Sequence, residues 1–320
     1  MLVQLLQTIG YLAALAAAGF LVFRHPWMQR RVFPVFLVLV LQILFPFYFV
    51  VRIPTGWESA SALGWPLLAA LFLLCLVMMA VQGRLGQWFA DRPAAAVSQR
   101  SSYVLLAALH NAGFVPLPIL ERVAPDSVLL GMFFYLLAFN LAFWALAVPI
   151  IRTGQIDLRH PSVRLKPPLI GMALGFLIAL TGAHRLVPQA LLDGGLRVGS
   201  LALDGALVAL GGALAGIRDR ISLDREHWVF VGWRMVLYPA VVLLLAALPW
   251  PGLHGPLGWG LRVMVVLEAA APPATQTLVV TRAFGGERQL HYTGGMILFT
   301  YLVSLITIPV FVGLAVAWFS

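Results

Sequence analysis

Apolar stretches of about 20 residues, the length that crosses a bilayer core, recur from one end of this chain to the other. The segment "PLLAALFLLCLVMMAV" at 66–81, for example, holds no charged residue. Such segments cannot leave backbone N–H and C=O groups unpaired in lipid, so they must fold as helices whose hydrogen bonds close internally. With Pro, Gly and charge clusters as punctuation, ten spans fall near residues 3–23, 32–51, 62–82, 101–121, 127–150, 167–187, 197–217, 228–249, 258–282 and 291–318. Composition agrees: 61% of the residues are hydrophobic and 10% charged, against roughly 25% charged in soluble domains. The expectation is an all-α integral membrane protein. Cys75, the single cysteine, allows no disulfide framework and reads as a lipid-facing or packing residue. No Lys or Arg precedes Arg24, so the first apolar run lacks a signal peptide's basic region and is expected to persist as a helix.

The basic residues orient the spans. Of 21 Lys and Arg, 15 lie in alternate loops: Arg24, Arg30, Arg31; Arg84, Arg92, Arg100; Arg152, Arg159, Arg164, Lys166; Arg218, Arg220, Arg225; Arg282, Arg288. The positive-inside rule sets these loops in the cytoplasm and both termini outside. The net charge of +9 then reflects a basic face against anionic lipid, and no nucleic-acid partner is needed to explain it.

The longest cytoplasmic connection divides the spans five and five, giving residues 1–150, a linker at 151–165, and residues 166–320. Five is odd, so if the halves are copies the second is inverted in the membrane. The fourth span is interrupted by "HNAGFVPLP" at 110–118, and its counterpart, the ninth, by "EAAAPPATQT" at 268–277. Proline removes a backbone donor and clashes with the carbonyl four residues earlier. Each break therefore frees polar backbone at membrane depth, which survives only where protein or cavity water satisfies it. Half-helix N-termini suit a carboxylate, and C-terminal carbonyls suit a cation.

These segments resemble the auxin efflux carrier family, whose bacterial members are often called malate permeases. "HNAGFVPLP" is similar to a family pattern that Asn111, Gly113, Phe114 and Pro118 match; "PPLIGMALGFLIALTG" with "VGSLALDGALVALGGALAG" is similar to its sixth and seventh spans, "GWRMVLYP" to the start of its eighth, and "AAPPATQTLVVTRAFGG" with "ILFTYLVSLITIP" to its ninth and tenth. Pro116 stands where the pattern has Gly, and Asp204 where a small or apolar residue is usual. The resemblance implies ten helices in two inverted five-helix repeats with crossing, broken fourth and ninth helices, similar to bile acid/sodium symporter and sodium/proton antiporter folds. It also implies elevator-type transport of organic anions across a bacterial inner membrane.

Each intramembrane polar residue has a bland reading beside its functional one. Asn111, Gly113, Pro118, Pro273, Ala274, Thr275 and Gln276 are candidates for binding a substrate carboxylate; capping the broken helices is the alternative for Asn111 and Thr275. Glu268, His110 and Asp204 are candidates for a coupling proton or sodium ion, since a charge in the membrane interior costs enough to need a partner or a role. Glu268 satisfying loose N–H groups, a structural His110, and Asp204 paired with a buried base such as Arg234 are the alternatives. Arg234 reads as an anchor snorkelling back to water. Asn140 and Gln42 are weaker candidates, since interhelical hydrogen bonding explains them.

No nucleotide-binding loop, paired-cysteine cluster, HExxH helix or GxSxG elbow is present. The expected function is secondary transport or uniport of small carboxylates, malate-like or auxin-like, with no cofactor. The expected partners are the substrate, membrane lipid and, as an open option, a second copy of the chain. The competing classes are an intramembrane enzyme using His110 with Glu268 or Asp204, and a sensor or channel.

Overall fold

A computed structural model of the chain describes residues 2–60, 63–92, 97–156, 167–217, 224–250 and 255–319; the side chains of 2–6, 59 and 60 lie outside the description. Most of the linker expected at 151–165 also lies outside it, as do Arg159, Arg164, Lys166, Arg218 and Arg220. The described secondary structure is helical throughout, apart from one isolated β-bridge. In chain order the helices are α1 (Leu2–Phe23), α2 (Met28–Glu58), α3 (Gly64–Ala90), α4 (Arg100–Ala108), α5 (Pro116–Val123), α6 (Asp126–Thr153), α7 (Pro167–Thr181), α8 (Gln189–Ala215), α9 (Arg225–Ala246), α10 (Gly255–Ala270), α11 (Gln276–Phe284) and α12 (Glu287–Phe319).

Six of these, α2, α3, α6, α8, α9 and α12, are long and apolar enough to cross a membrane. The expected fourth and ninth spans are each divided at their prolines, into α4 with α5 and α10 with α11. The second span is longer than the 32–51 expected, because Pro34, Pro46 and Pro54 are absorbed within it. Three π-helical segments show how prolines are absorbed. Met28–Val32 and Leu39–Leu44 in α2 and Val231–Leu237 in α9 each end two residues before a proline: Pro34, Pro46 and Pro239. In each, the residue ahead of the proline (Phe33, Phe45 or Tyr238) donates its N–H to the carbonyl five residues back. The wider turn accommodates the carbonyl that the proline ring displaces and keeps the helix continuous.

Packing divides the helices into two layers. In the first, α1 lies against α8 and α2 against α7, with α2 also on α8. Small residues let these backbones touch: a methyl group at Gly211 would collide with the Ala16 carbonyl of α1, and one at Gly175 with the Phe49 carbonyl of α2. The second layer gathers α3, α4 and α6 on one side and α9, α10 and α12 on the other. Cys75 is fully buried among Leu71, Met78, Met79 and their neighbours, which leaves the packing role and removes the lipid-facing one.

Candidate functional site at the paired helix breaks

The two breaks meet. Asn111 N–H donates to the Pro272 carbonyl at 2.7 Å and Ala274 N–H to the Leu109 carbonyl at 2.8 Å, so His110 and Pro273 face each other in an antiparallel bridge. Backbone groups freed by one set of prolines are thus satisfied by the other break, which is how an interrupted helix persists inside an apolar slab.

Asn111 completes the first break. Its Oδ1 accepts from Phe114 N–H at 2.9 Å and Gly113 N–H at 3.3 Å, closing the turn into α5, and its Nδ2 donates to the Tyr301 hydroxyl of α12. The second break has a different cap. Arg234, fully buried on the π segment of α9, donates from Nη1 to the Ala269 carbonyl at 2.9 Å and from Nη2 to the Ala271 carbonyl at 3.1 Å. Both carbonyls belong to the C-terminal end of α10, where the helix dipole favours a cation. This corrects two expectations. Arg234 does not snorkel to water, because its turn points the side chain at the break; and it is not the partner of Asp204. Asp204 sits on α8 in the other layer, 3.3 Å from Arg122 of α5 and 3.2 Å from the Tyr11 hydroxyl of α1.

Behind the bridge lies a buried polar chain. Gln82 Oε1 accepts from Arg234 Nη2 at 3.4 Å and sits 3.1 Å from His110 Nδ1. An amide oxygen only accepts, so Nδ1 carries the proton, and in the neutral ring Nε2 is free to accept from the Tyr135 hydroxyl at 2.8 Å. That same Nε2 is 3.3 Å from Glu268 Oε2. Neither Glu268 oxygen makes a hydrogen bond among the described residues, so the carboxyl does not serve to satisfy loose N–H groups. A proton added here can reside on either side of the Nε2–Oε2 pair.

In front of the bridge is a cavity of about 270 Å³. Asn111, Gly113, Ala274, Thr275 and Gln276 line it from the two breaks, while Gln42 of α2 and Asn140 of α6 line it from outside them. Phe45, Phe49, Phe114, Phe139 and Trp144 supply aromatic walls, and no charged residue is among those that line it. Thr275 and Gln276 open α11, and the Thr275 hydroxyl makes no cap bond to that helix. Pro118 is buried in α5 and Pro273 in the bridge; neither lines the cavity. His110 and Glu268 stand behind the bridge, out of the cavity wall. The sequence reading left out Gln82, Tyr135 and Tyr301, which lie on uninterrupted helices, and kept Gln42 and Asn140 as weaker candidates that interhelical hydrogen bonding could explain. The Asn140 amide in fact donates within its own helix, to the Leu136 carbonyl.

Ion pairs tie α5 to the first layer. Arg52 of α2 is 2.8 Å from Glu121 and 2.6 Å from Asp126, and Tyr48 donates to Glu121 at 2.7 Å. With Arg122–Asp204 they form two links across the layers.

Comparison with curated proteins gives no match. A family model described as Mem_trans, membrane transport protein, matches residues 159–312. The matched stretch carries the whole second break, with Arg234, Glu268 and Pro272–Gln276, and the first break is hydrogen-bonded to it. Over that stretch the chain is similar to the membrane transport protein family, that of the auxin efflux carriers.

Proposed function

We propose that this protein carries a small organic anion across the membrane by alternating access, with its carboxylate held in the 270 Å³ cavity. The observation that carries the reading is the backbone pairing of the two breaks directly beside a cavity they both line. The carboxylate meets the Asn111 amide, Thr275, Gln276 and the N-terminal end of α11, which carries partial positive charge. With no cation among the described residues of the wall, a monocarboxylate with an apolar or aromatic body suits Phe45, Phe114 and Trp144 better than a dicarboxylate of malate type.

Ten spans in two inverted repeats, 1–150 and 166–320, underlie the reading. It is supported by contacts that come in exchanged pairs: α1 with α8 and α7 with α2; α3 with α4 and α9 with α10; α4 with α12 and α10 with α6. The first layer serves as scaffold and the second as the moving body of an elevator. Pro167 and Pro168, next to the basic central connection, border the cavity, while the Arg52–Glu121 and Arg122–Asp204 pairs join the layers at the other end of α5. The conformation is therefore read as open to the cytoplasm, with both termini outside. Glu268 with His110 carries the coupling charge where a gradient drives transport.

The test is uptake into proteoliposomes loaded with unlabelled acid, comparing labelled malate with an indole monocarboxylate. Saturable counterflow of the monocarboxylate, weakened about tenfold in apparent affinity by Asn111→Ala, is the expected result. Absence of counterflow for every carboxylate would remove the reading.

A further inference from the structure

The cation position at the second break is already filled, by a side chain. Ala269 and Ala271 turn their carbonyls toward one point at the C-terminal end of α10, and the two terminal nitrogens of Arg234 occupy it at 2.9 and 3.1 Å. Gln82 Oε1 adds a third oxygen at 3.4 Å, and Arg234 is fully buried. Backbone and amide oxygens converging in a dry site are the donor set a hard monovalent cation takes in place of water. The guanidinium reaches them from the widened turn before Pro239, on a helix that does not itself break. It is permanently charged and covalently held.

Resting on the transport reading above, we infer that Arg234 is a tethered cation that takes the place of a bound sodium ion at this break, so that the protein binds and moves its substrate without sodium. Delivering a second cation to oxygens that already hold a guanidinium would set two like charges a few ångströms apart in a site closed to water, which the site does not support. The same oxygens, relieved of Arg234, regain a sodium-binding donor set.

The experiment is thermal unfolding of the detergent-solubilised full chain in sodium chloride against choline chloride at equal ionic strength, for wild type, Arg234→Ala and Arg234→Lys. Wild type and Arg234→Lys are expected to melt at the same temperature in both salts. Arg234→Ala is expected to melt lower in choline and to recover in sodium, by about 2 °C or more per tenfold rise in sodium concentration. Sodium-specific stabilisation of wild type or of Arg234→Lys would overturn the inference, as would an Arg234→Ala protein indifferent to sodium. Should Arg234→Ala not fold, the wild-type and Arg234→Lys comparisons still decide it. These are binding readouts, so they stand apart from the transport reading, which fails separately if no carboxylate is exchanged in either salt.

Discussion

The two helix breaks solve one physical problem with different chemistry. At the first, a neutral amide closes the turn: Asn111 Oδ1 accepts two N–H groups and its Nδ2 reaches Tyr301. At the second, a buried guanidinium holds the carbonyl end of α10. The neutral cap lines the cavity, and the charged cap lies behind it beside Gln82, in contact with the chain leading to His110 and Glu268. The difference separates the two caps: both breaks line the cavity, but one cap faces it as a neutral amide and the other fixes charge behind it. The half-helices that follow differ too. Ion pairs bind α5 to α2 and α8, whereas among the described residues no ion pair ties α11 to the first layer.

The sharpest way to break this comparison is to remove both caps. Arg234→Met leaves two carbonyls unpaired in a dry site and is expected to destabilise the protein by about 3 kcal/mol in sodium-free buffer. Asn111→Ala loses a neutral cap beside a cavity that admits water, for about 1–2 kcal/mol. Thermal or denaturant unfolding of the two variants checks this, and equal losses would erase the distinction between charged and neutral caps. A smaller effect concerns the layer links. In a Cys75→Ala background, with Gln276→Cys as reporter in the cavity, Arg52→Gln is expected to raise labelling by an impermeant external thiol reagent about fivefold, the population shift that loss of roughly 1 kcal/mol of ion pairing allows. Unchanged labelling would mean that the links do not hold the outer side closed.

How far the sequence exposed this arrangement depended on whether a residue disturbs its own helix. The single prolines Pro34, Pro46 and Pro239 are each absorbed by one widened turn, whereas the breaks were legible because prolines come in close pairs there, Pro116 with Pro118 and Pro272 with Pro273, beside polar residues. Asn111, Thr275 and Gln276 were legible because they adjoin those prolines. Arg234 was not: hydropathy places a lone arginine near the cytoplasmic end of a span, and only the π turn before Pro239 aims it inward. Its spacing of five from that proline is a signal that could have been used. Gln82, Tyr135 and Tyr301 leave no local trace, since an uninterrupted helix with one polar residue looks the same whether that residue faces a neighbour or a site.

The smallest expected effect lies at the start of the first broken helix. Arg100, the first residue of α4, chelates Asp91 through Nε and Nη2 and also donates to the Gly154 carbonyl. Hydrogen bonding from Arg100 holds the Asp91 carboxyl below the usual carboxylate range. A carboxyl depressed in the folded state stabilises above its unfolded value, near pH 4, and loses that contribution as pH falls through the folded value. Asp91→Asn is therefore expected to lower the melting temperature at pH 7 by about 1 °C or less, the pair being exposed, and to leave it unchanged well below pH 3. A difference that persisted in full at that pH would show that packing, not charge, links α4 to the end of α3.

The division of labour between the breaks is tested most directly by separating exchange from accumulation in proteoliposomes. Glu268→Gln keeps the shape of the carboxyl beside His110 and removes its charge. The expected result is substrate counterflow like wild type with accumulation under an imposed gradient abolished, while Asn111→Ala weakens counterflow itself. A Glu268→Gln protein that accumulates substrate like wild type under every imposed gradient would contradict the assignment of the coupling charge to the chain behind the bridge.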